Sequence, residues 1–414
     1  MAKGNYIAGL DIGGSKVSCF IAELDDFYNP RVIGYGQHVS HGMKRGMIID
    51  MDRTETAIRE AVAQAEEMAD VSVNSVYVSL GGVHLRSHMT DGLVVLNQHE
   101  ITDVDIAKVI DVARAKQLEG DRQIIHAQPV RYVLDSHTDI RDPRGMTGSR
   151  LESEVHIISA ASNAVRNVAR CVERCHLDID DIIVQPYASA LSCLVPDEKE
   201  LGVCLVDMGG GTCDIAIYAE GVLLYTAVLP VGGNHITSDI ARGLSTPLSY
   251  AERIKNLYGC ALASLVQGDE NIDIPHVGED EEAATGHVTR GALAGIIQPR
   301  CEEILEMVRD KIEQSGFESV IGRRVVLTGG TSQLEGMKQL AEVVLDKNVR
   351  LARPVELEGL TDMSSLPQFS TVSGLVVHGA KEFAAQQRNR AVSRKFVDLF
   401  AHLNKWLKDA FQAG

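Results

Sequence analysis

Short apolar runs that stop at glycines punctuate this chain, and helical spacing fills the gaps between them. The run at 6–10 meets Asp11 and Ile12, then Gly13, Gly14, Ser15 and Lys16, and apolar residues resume over 17–24. The run at 202–206 meets Asp207 and Met208, then Gly209, Gly210, Gly211 and Thr212, with Asp214-Ile215-Ala216-Ile217-Tyr218 alternating behind it. Each reads as strand, glycine turn, strand. Two copies about 200 residues apart form an internal pseudo-repeat. A run at 76–80 ends at Gly81 and Gly82, and one at 324–328 ends at Gly329, Gly330, Thr331 and Ser332. Leu334, Met337, Leu340 and Ala341 then continue at helical spacing.

Elsewhere the period is that of a helix. Ala57, Ile58, Ala61, Val62, Ala65 and Met68 share one side of a helix over 52–69, and further helices are expected over 163–175, 186–194, 236–243, 249–257 and 293–314. Strands are expected at 156–161 and 179–184, with a strand pair over 222–231. From 84 to 155 the pattern changes to shorter strands, at 92–96 and 123–134, and one helix at 104–117 announced by Thr102 and Asp103 as cap candidates. That stretch reads as an inserted small α+β subdomain. Residues 268–287 form an acidic stretch without periodicity, expected as a solvated loop, and 381–390 are polar and read as a linker.

With 414 residues the chain can hold two or more domains. Its formal charge of −17 argues against coating nucleic acid, whose phosphates would be repelled. The eight cysteines show no paired CxxC spacing, which argues against zinc, and several sit in apolar runs as small hydrophobes. No signal peptide and no apolar run of about twenty residues is evident, so a reducing cytoplasm is the expectation.

The glycine turns carry the chemistry. Adjacent glycines leave backbone N–H groups uncovered, an arrangement suited to a phosphate. Asp11 and Asp207 would repel that phosphate unless a cation lay between, so the pattern asks for Mg²⁺ held through water by these two carboxylates. Lys16 adds a second cation. The third turn, Thr328 to Ser332, places small residues where a ring or ribose can approach the backbone. Glu252 and Lys255, three apart on one helix face, could touch ribose and base or form a plain surface ion pair. Together these parts make a nucleotide cleft.

The terminal helix is a different kind of signal. On a wheel advancing about 100° per residue from Arg394, Phe396, Leu399, Phe400, Leu403, Trp406, Leu407 and Phe411 fall within roughly 120–260°. Arg394, Asp398, Lys405, Lys408 and Asp409 lie opposite. From Arg388 onward the chain carries +4, the remainder −21. A one-sided aromatic face with cations behind it describes a helix lying in the plane of an anionic membrane, each basic residue contributing up to about 1 kcal/mol. Docking on the protein's own core is the alternative, disfavoured by the polar stretch before it and the opposite charge.

These motifs resemble a known superfamily. Asp11-Ile12-Gly13-Gly14, Asp207-Met208-Gly209-Gly210-Gly211-Thr212 and Thr328-Gly329-Gly330-Thr331-Ser332 are similar to the phosphate-1, phosphate-2 and adenosine motifs of the actin-like ATPases. The segment 202–218, Thr237-Ser238-Asp239-Ile240-Ala241, Pro299-Arg300, 326–330 and 359–362 resemble the bacterial cell-division FtsA family along nearly the whole chain. The resemblance implies an α/β fold of duplicated ribonuclease H-like domains around a nucleotide cleft, with ATP as ligand. It divides the chain into a first actin-like domain (1–83, 156–195, 360–380), the insert (84–155) and a second domain core (196–231, 315–359). A capping subdomain (232–314), a linker (381–392) and a membrane helix (393–414) complete it.

Head-to-tail protofilaments are implied too. So is a partner, the tubulin-like FtsZ, whose C-terminal peptide docks on the subdomain containing Arg300. A cytoplasmic adaptor tying the division polymer to anionic inner-membrane lipid at the septum, and helping recruit later divisome proteins, is the function so implied. In actin relatives a Gln or Glu after the connecting strand orients the attacking water. Gln185 stands there; its amide is a poor base, so slow hydrolysis is expected, or Gln185 merely satisfies backbone groups. A small-molecule kinase on this fold would need a carboxylate base there and no cationic helix. A chaperone-type ATPase would need a substrate domain after the cleft, and a pilus-assembly relative is disfavoured by the terminal helix.

Overall fold

Two five-stranded sheets with one and the same strand plan carry the molecule. The computed structural model describes residues 5–388 except 117, 268–269, 279–285 and 356, with backbone only at 139. In the first half, β1 (Tyr6–Ile12), β2 (Lys16–Leu24) and β3 (Pro30–Val39) form an antiparallel meander, and a small ribbon of β4 (Met43–Lys44) and β5 (Met47–Ile48) follows. Helix α1 (Met51–Ala69) starts where Asp50 accepts from the Arg53 N–H, satisfying an orphan donor of its first turn. Its alanines lie so close on β3 that a Cβ at Gly36 would stand 2.1 Å from the Ala61 carbonyl, so only glycine allows the approach. Strand β6 (Ser75–Leu80) runs parallel beside β1.

The insert comes next. Strands β7 (Arg86–Val95), β8 (Arg122–Leu134), β9 (His137–Ile140) and β10 (Arg150–Ala161) form an antiparallel sheet of order β7-β10-β8-β9, covered by α2 (Asp103–Arg114). Leu96, Ile101, Ile106, Val109, Tyr132, Leu134 and Leu151 give it a core of its own. Its strands are long, not short: β8 has 13 residues and β10 has 12. The expected boundary at 155/156 falls inside β10, because His156 still pairs with Met89 and Gln128. What changes there is burial, which alternates up to Val155 and then becomes continuous through Ala160. The strand is covered on both faces where it meets the body, so residues 156–161 are not a separate strand.

Helix α3 (Ser162–Arg174), β11 (Asp178–Val184), α4 (Gln185–Cys193) and α5 (Pro196–Leu201) lead to the second half. There β12 (Val203–Met208), β13 (Cys213–Ala219) and β14 (Val222–Leu229) repeat the meander. The stretch expected to hold a strand pair is this single strand β14. Helices α6 (Gly233–Leu244) and α7 (Leu248–Tyr258) follow, then a two-stranded ribbon, β15 (Asn271–Ile274) and β16 (Gly286–Thr289), at the ends of the acidic stretch. Next come α8 (Arg290–Gln314), α9 (Glu318–Ile321), β17 (Arg324–Thr328), α10 (Met337–Leu345) and β18 (Asn348–Leu351). The helix expected after Gly330 is broken: a 3-10 turn, Gly330–Gln333, precedes α10, and Gly336 between them has φ +77°.

The sheet orders β11-β6-β1-β2-β3 and β14-β13-β12-β17-β18 are the same plan read in opposite directions. A final helix, α11 (370–388), runs through the stretch expected as a linker. Ala380 and the ring of Phe383 explain this, since they pack with Ile7, Tyr77 and Tyr28 and hold residues 381–388 in the helix. The eight cysteines are free.

Candidate functional site

Both hairpin turns close in the same way. Gly13 N–H donates to the Lys16 carbonyl (3.0 Å) and Gly209 N–H to the Thr212 carbonyl (2.9 Å). One residue before each strand ends stands the carboxylate, Asp11 in register with Ser18 and Asp207 in register with Asp214. The two turns face each other closely, since a Cβ at Gly210 would lie 2.8 Å from that of Ser15. Between them opens a cleft of about 520 Å³. The structure brings Asp11, Gly13, Gly14, Ser15, Lys16, Gln185, Asp207, Gly209, Gly210, Gly211, Thr212, Glu252, Lys255, Gly329, Gly330 and Thr331 onto its walls.

Three expected residues lie elsewhere or play another part. Ser332 is fully buried behind the third turn, its hydroxyl donating to the Gly329 carbonyl at 2.7 Å. Arg300 is on α8, away from the cleft, with its guanidinium 2.5 Å from Asp239 and also paired with Glu303. Glu252 and Lys255 do form an ion pair, at 2.6 Å, yet it is not a surface one: Lys255 is 7% exposed and also donates to Thr237 (2.9 Å). Burial pushes the Glu252 carboxyl up, and Lys255 outweighs that to hold it below its ordinary value. The aromatic face of the terminal helix, Phe396 to Phe411, lies outside the described residues.

The third turn is locked to the second. Thr331 donates to the Gly209 carbonyl at 2.9 Å. Gly329 has φ +85°, and a Cβ there would stand 2.3 Å from Asp207 Oδ1. Only glycine meets both conditions.

Side chains not singled out beforehand hold the carboxylates. Ser79 donates to Asp11 Oδ1 (2.7 Å) and Gln185 Nε2 to the same oxygen (3.1 Å). On the other side Ser189 donates to Asp207 Oδ2 (2.5 Å) and Thr371 to the same atom (3.3 Å). A lone serine inside the apolar run 76–80 was the available signal for Ser79. Asp214 is the largest omission. It is 4% exposed, accepts from Thr212 (3.0 Å), and its other oxygen has no protein partner. A carboxylate at an in-facing position of an alternating strand marked it in advance.

Burial governs the electrostatics. It raises the Asp11 carboxyl despite the Ser79 and Gln185 hydrogen bonds, and raises Asp207 to about 6 against the pull of Ser189. Asp214 is pushed well up by burial and by Asp207. Burial lowers Lys16 to about 7, with Asp11 and Asp207 opposing. Its Nζ has no hydrogen-bond partner and lies 3.4 Å from the centroid of the Phe369 ring. Among the described residues no group of three or more His, Cys, Asp or Glu forms a direct metal site. A hard divalent ion would therefore complete its shell with water and ligand oxygens beside Asp11 or Asp207, relieving the repulsion between these buried acids.

Comparison with known proteins follows from this geometry. The family described as "Cell division protein FtsA" matches residues 204–374, and "SHS2 domain inserted in FTSA" matches 82–159. A cell division protein FtsA of Pseudomonas aeruginosa is 42% identical over 379 residues, 92% of this chain and 90% of that one. Another, of Neisseria meningitidis serogroup B, is 41% identical over 412 residues, covering 98% and 99%. Among solved structures, the PilM-PilN type IV pilus biogenesis complex superposes with a TM-score of 0.65 at 16% identity, over 90% of this chain and 98% of that one. MreB5 of Spiroplasma citri bound to ADP gives 0.57 at 12%, over 93% and 99%. A MamK double helical filament gives 0.51 at 12%, over 90% and 98%. At such identities these structures speak for the fold alone, and that fold is actin-like.

Proposed function

This chain belongs to the FtsA family of cell division proteins, and on that premise we propose that it is an ATP-binding, filament-forming adaptor anchoring the FtsZ ring to the inner membrane. The observation that carries the nucleotide part is the pair of facing glycine turns, each backed by a buried aspartate, with the Gly329–Gly330 turn beside them. Backbone N–H groups at Gly13–Ser15 and Gly209–Thr212 take the phosphates, and Lys16 adds its charge. Asp11 and Asp207 hold Mg²⁺ through water, and the ion neutralises the phosphates when bound. Glu252, Lys255, Thr331 and the two glycines before it accommodate ribose and base.

Gln185 is tied to Asp11 rather than to a base, so it orients water without taking a proton. That favours slow hydrolysis and a nucleotide acting mainly to hold the subunit's shape. Filament formation gains support from the actin-like fold that this chain shares with a protein described as a double helical filament.

Membrane attachment is assigned to residues 393–414. Among the described residues no helix is long and apolar enough to cross a membrane. The FtsZ C-terminal peptide is assigned to the 232–314 subdomain, where its carboxylates would exchange with Asp239 and Glu303 for Arg300. Later divisome proteins are further partners in this reading.

The test is direct. Deleting 393–414 should leave MgATP binding intact and abolish sedimentation with anionic liposomes. Unchanged liposome binding sinks the membrane assignment, and absent MgATP binding sinks the cleft. Electron microscopy on a lipid monolayer with ATP tests polymerisation in the same sample.

A further inference from the structure

Phe369 ends a short 3-10 turn, Pro367–Phe369, and is 2% exposed. Its ring packs on that of Phe20, with centroids 5.5 Å apart and 33° between planes. Residues 16, 18 and 20 share one face of β2. The ring that covers Phe20 therefore also lies under the Lys16 ammonium, at 3.4 Å. That ammonium is buried, faces the cleft's two aspartates without touching either, and has no hydrogen-bond acceptor.

The residues on either side of Phe369 reach the other parts of the cleft. The Pro367 carbonyl accepts from Gly329 N–H (3.3 Å). The Ser370 hydroxyl bonds that of Thr328 (2.6 Å), and Thr371 donates to Asp207 (3.3 Å). Gln368 and Leu366 line the cleft itself. The stretch 366–371 thus touches the first turn through Lys16, the second through Asp207 and the third through Gly329. It then runs without a break into α11.

We propose that Lys16 and Phe369 form a latch through which polyphosphate in the cleft sets the position of residues 366–371 and of helix α11. The proposal rests on the reading of the cleft as a MgATP site. A cation over an aromatic face is held by a weak, broad attraction. Phosphate oxygens offer the same ammonium charge-assisted hydrogen bonds, which are stronger and directional. Lys16 therefore leaves the ring when phosphate arrives. Phe369 then loses its cationic neighbour on that face, and its segment re-seats against Phe20. Ser370 and Thr371 are the first turn of α11, so the helix moves with them. Because coupling is reciprocal, whatever displaces α11 alters nucleotide affinity by the same factor.

The experiment uses the full chain, calorimetry with MgATP, and amide hydrogen exchange over 366–388. Phe369→Leu removes the ring but keeps an apolar side chain. It should bind MgATP several-fold tighter, since Lys16 no longer has to leave a favourable contact. Phe369→Tyr keeps the ring and should match the parent. In the parent, MgATP should change exchange over 366–388, and in Phe369→Leu that change should shrink to background. Unchanged or weaker binding by Phe369→Leu overturns the latch, as does tighter binding by both variants. Should Phe369→Leu not fold, the parent decides: MgATP binding without any change of exchange over 366–388 overturns it. Absence of MgATP binding by the parent removes the cleft reading and the latch together, a separate result.

Discussion

The first and second halves share a strand plan, a turn geometry and a buried aspartate, and differ in the charges around that aspartate. The first turn ends on Lys16, and Ser18 stands across from Asp11. The second ends on Thr212, and Asp214 stands across from Asp207. At two matching positions the second half is therefore one formal charge more negative each time. A duplicated backbone can offer phosphate the same N–H groups on both sides and still hold it differently. One side brings its own cation, and the other has to borrow one.

The comparison can be broken hardest at Gly329, which joins the third turn to Asp207. Gly329→Ala combines left-handed backbone with contacts of 2.3 Å to Asp207 Oδ1 and 2.5 Å to the Met208 carbonyl. We expect a loss of about 3 kcal/mol or more in denaturant unfolding, with MgATP binding gone. Gly81→Ala, after β6, meets only the Gln185 side chain, which can turn away. It should cost about 1 kcal/mol. Equal losses would mean that the two halves are equally rigid.

Next in size is the aspartate pair. Asp207→Asn should weaken MgATP binding more than tenfold at fixed Mg²⁺, because the second half has no cation of its own. Asp11→Asn, beside Lys16, should cost a few-fold. Isothermal titration decides, and equal effects would dissolve the asymmetry.

The same asymmetry should appear as two opposite pH slopes in the nucleotide-free protein. Asp207 is raised from 3.8 to about 6, so the folded state holds its proton more tightly than the unfolded chain. Stability from this group is complete below about 4 and is lost as pH rises through about 6. Lys16 is lowered from 10.5 to about 7, so its cost is fully present below about 7 and is relieved as pH climbs toward 10.5. Unfolding curves across pH should dip between the two windows, and Lys16→Met should flatten the upper arm alone. The smallest effects belong to the supporting hydroxyls. Ser189→Ala frees one oxygen contact of Asp207 and Ser79→Ala one of Asp11, each expected to cost roughly 1 kcal/mol and to shift MgATP affinity a few-fold.

Glycine turns, the strand before each, and the helices between them were legible because their signals are local. Gly13, Gly209 and Gly329 announce where backbone must be uncovered, and Asp11 and Asp207 sit at a fixed offset from them. The supports were not. Ser189, Thr371 and Phe369 lie 18, 164 and 353 positions from the residues they serve, and no periodicity links such pairs. The insert's strands were read short because apolar alternation lapses where the sheet is open on one face, as at Glu152 and Glu154 in β10. Residues 381–388 read as a linker because only Phe383 and its neighbours on one flank pack, while the rest of that turn faces water.

That last correction has a mechanical meaning. A flexible connector supplies slack, and the chain beyond it can point anywhere within reach. A helix supplies phase. Each residue added to or taken from 381–388 advances the exit by about 1.5 Å and turns it by about 100°. One extra residue would thus aim whatever follows at a different side of the molecule, whereas seven would restore nearly the original bearing, about 10 Å further out. Length along this stretch is read as a compass setting.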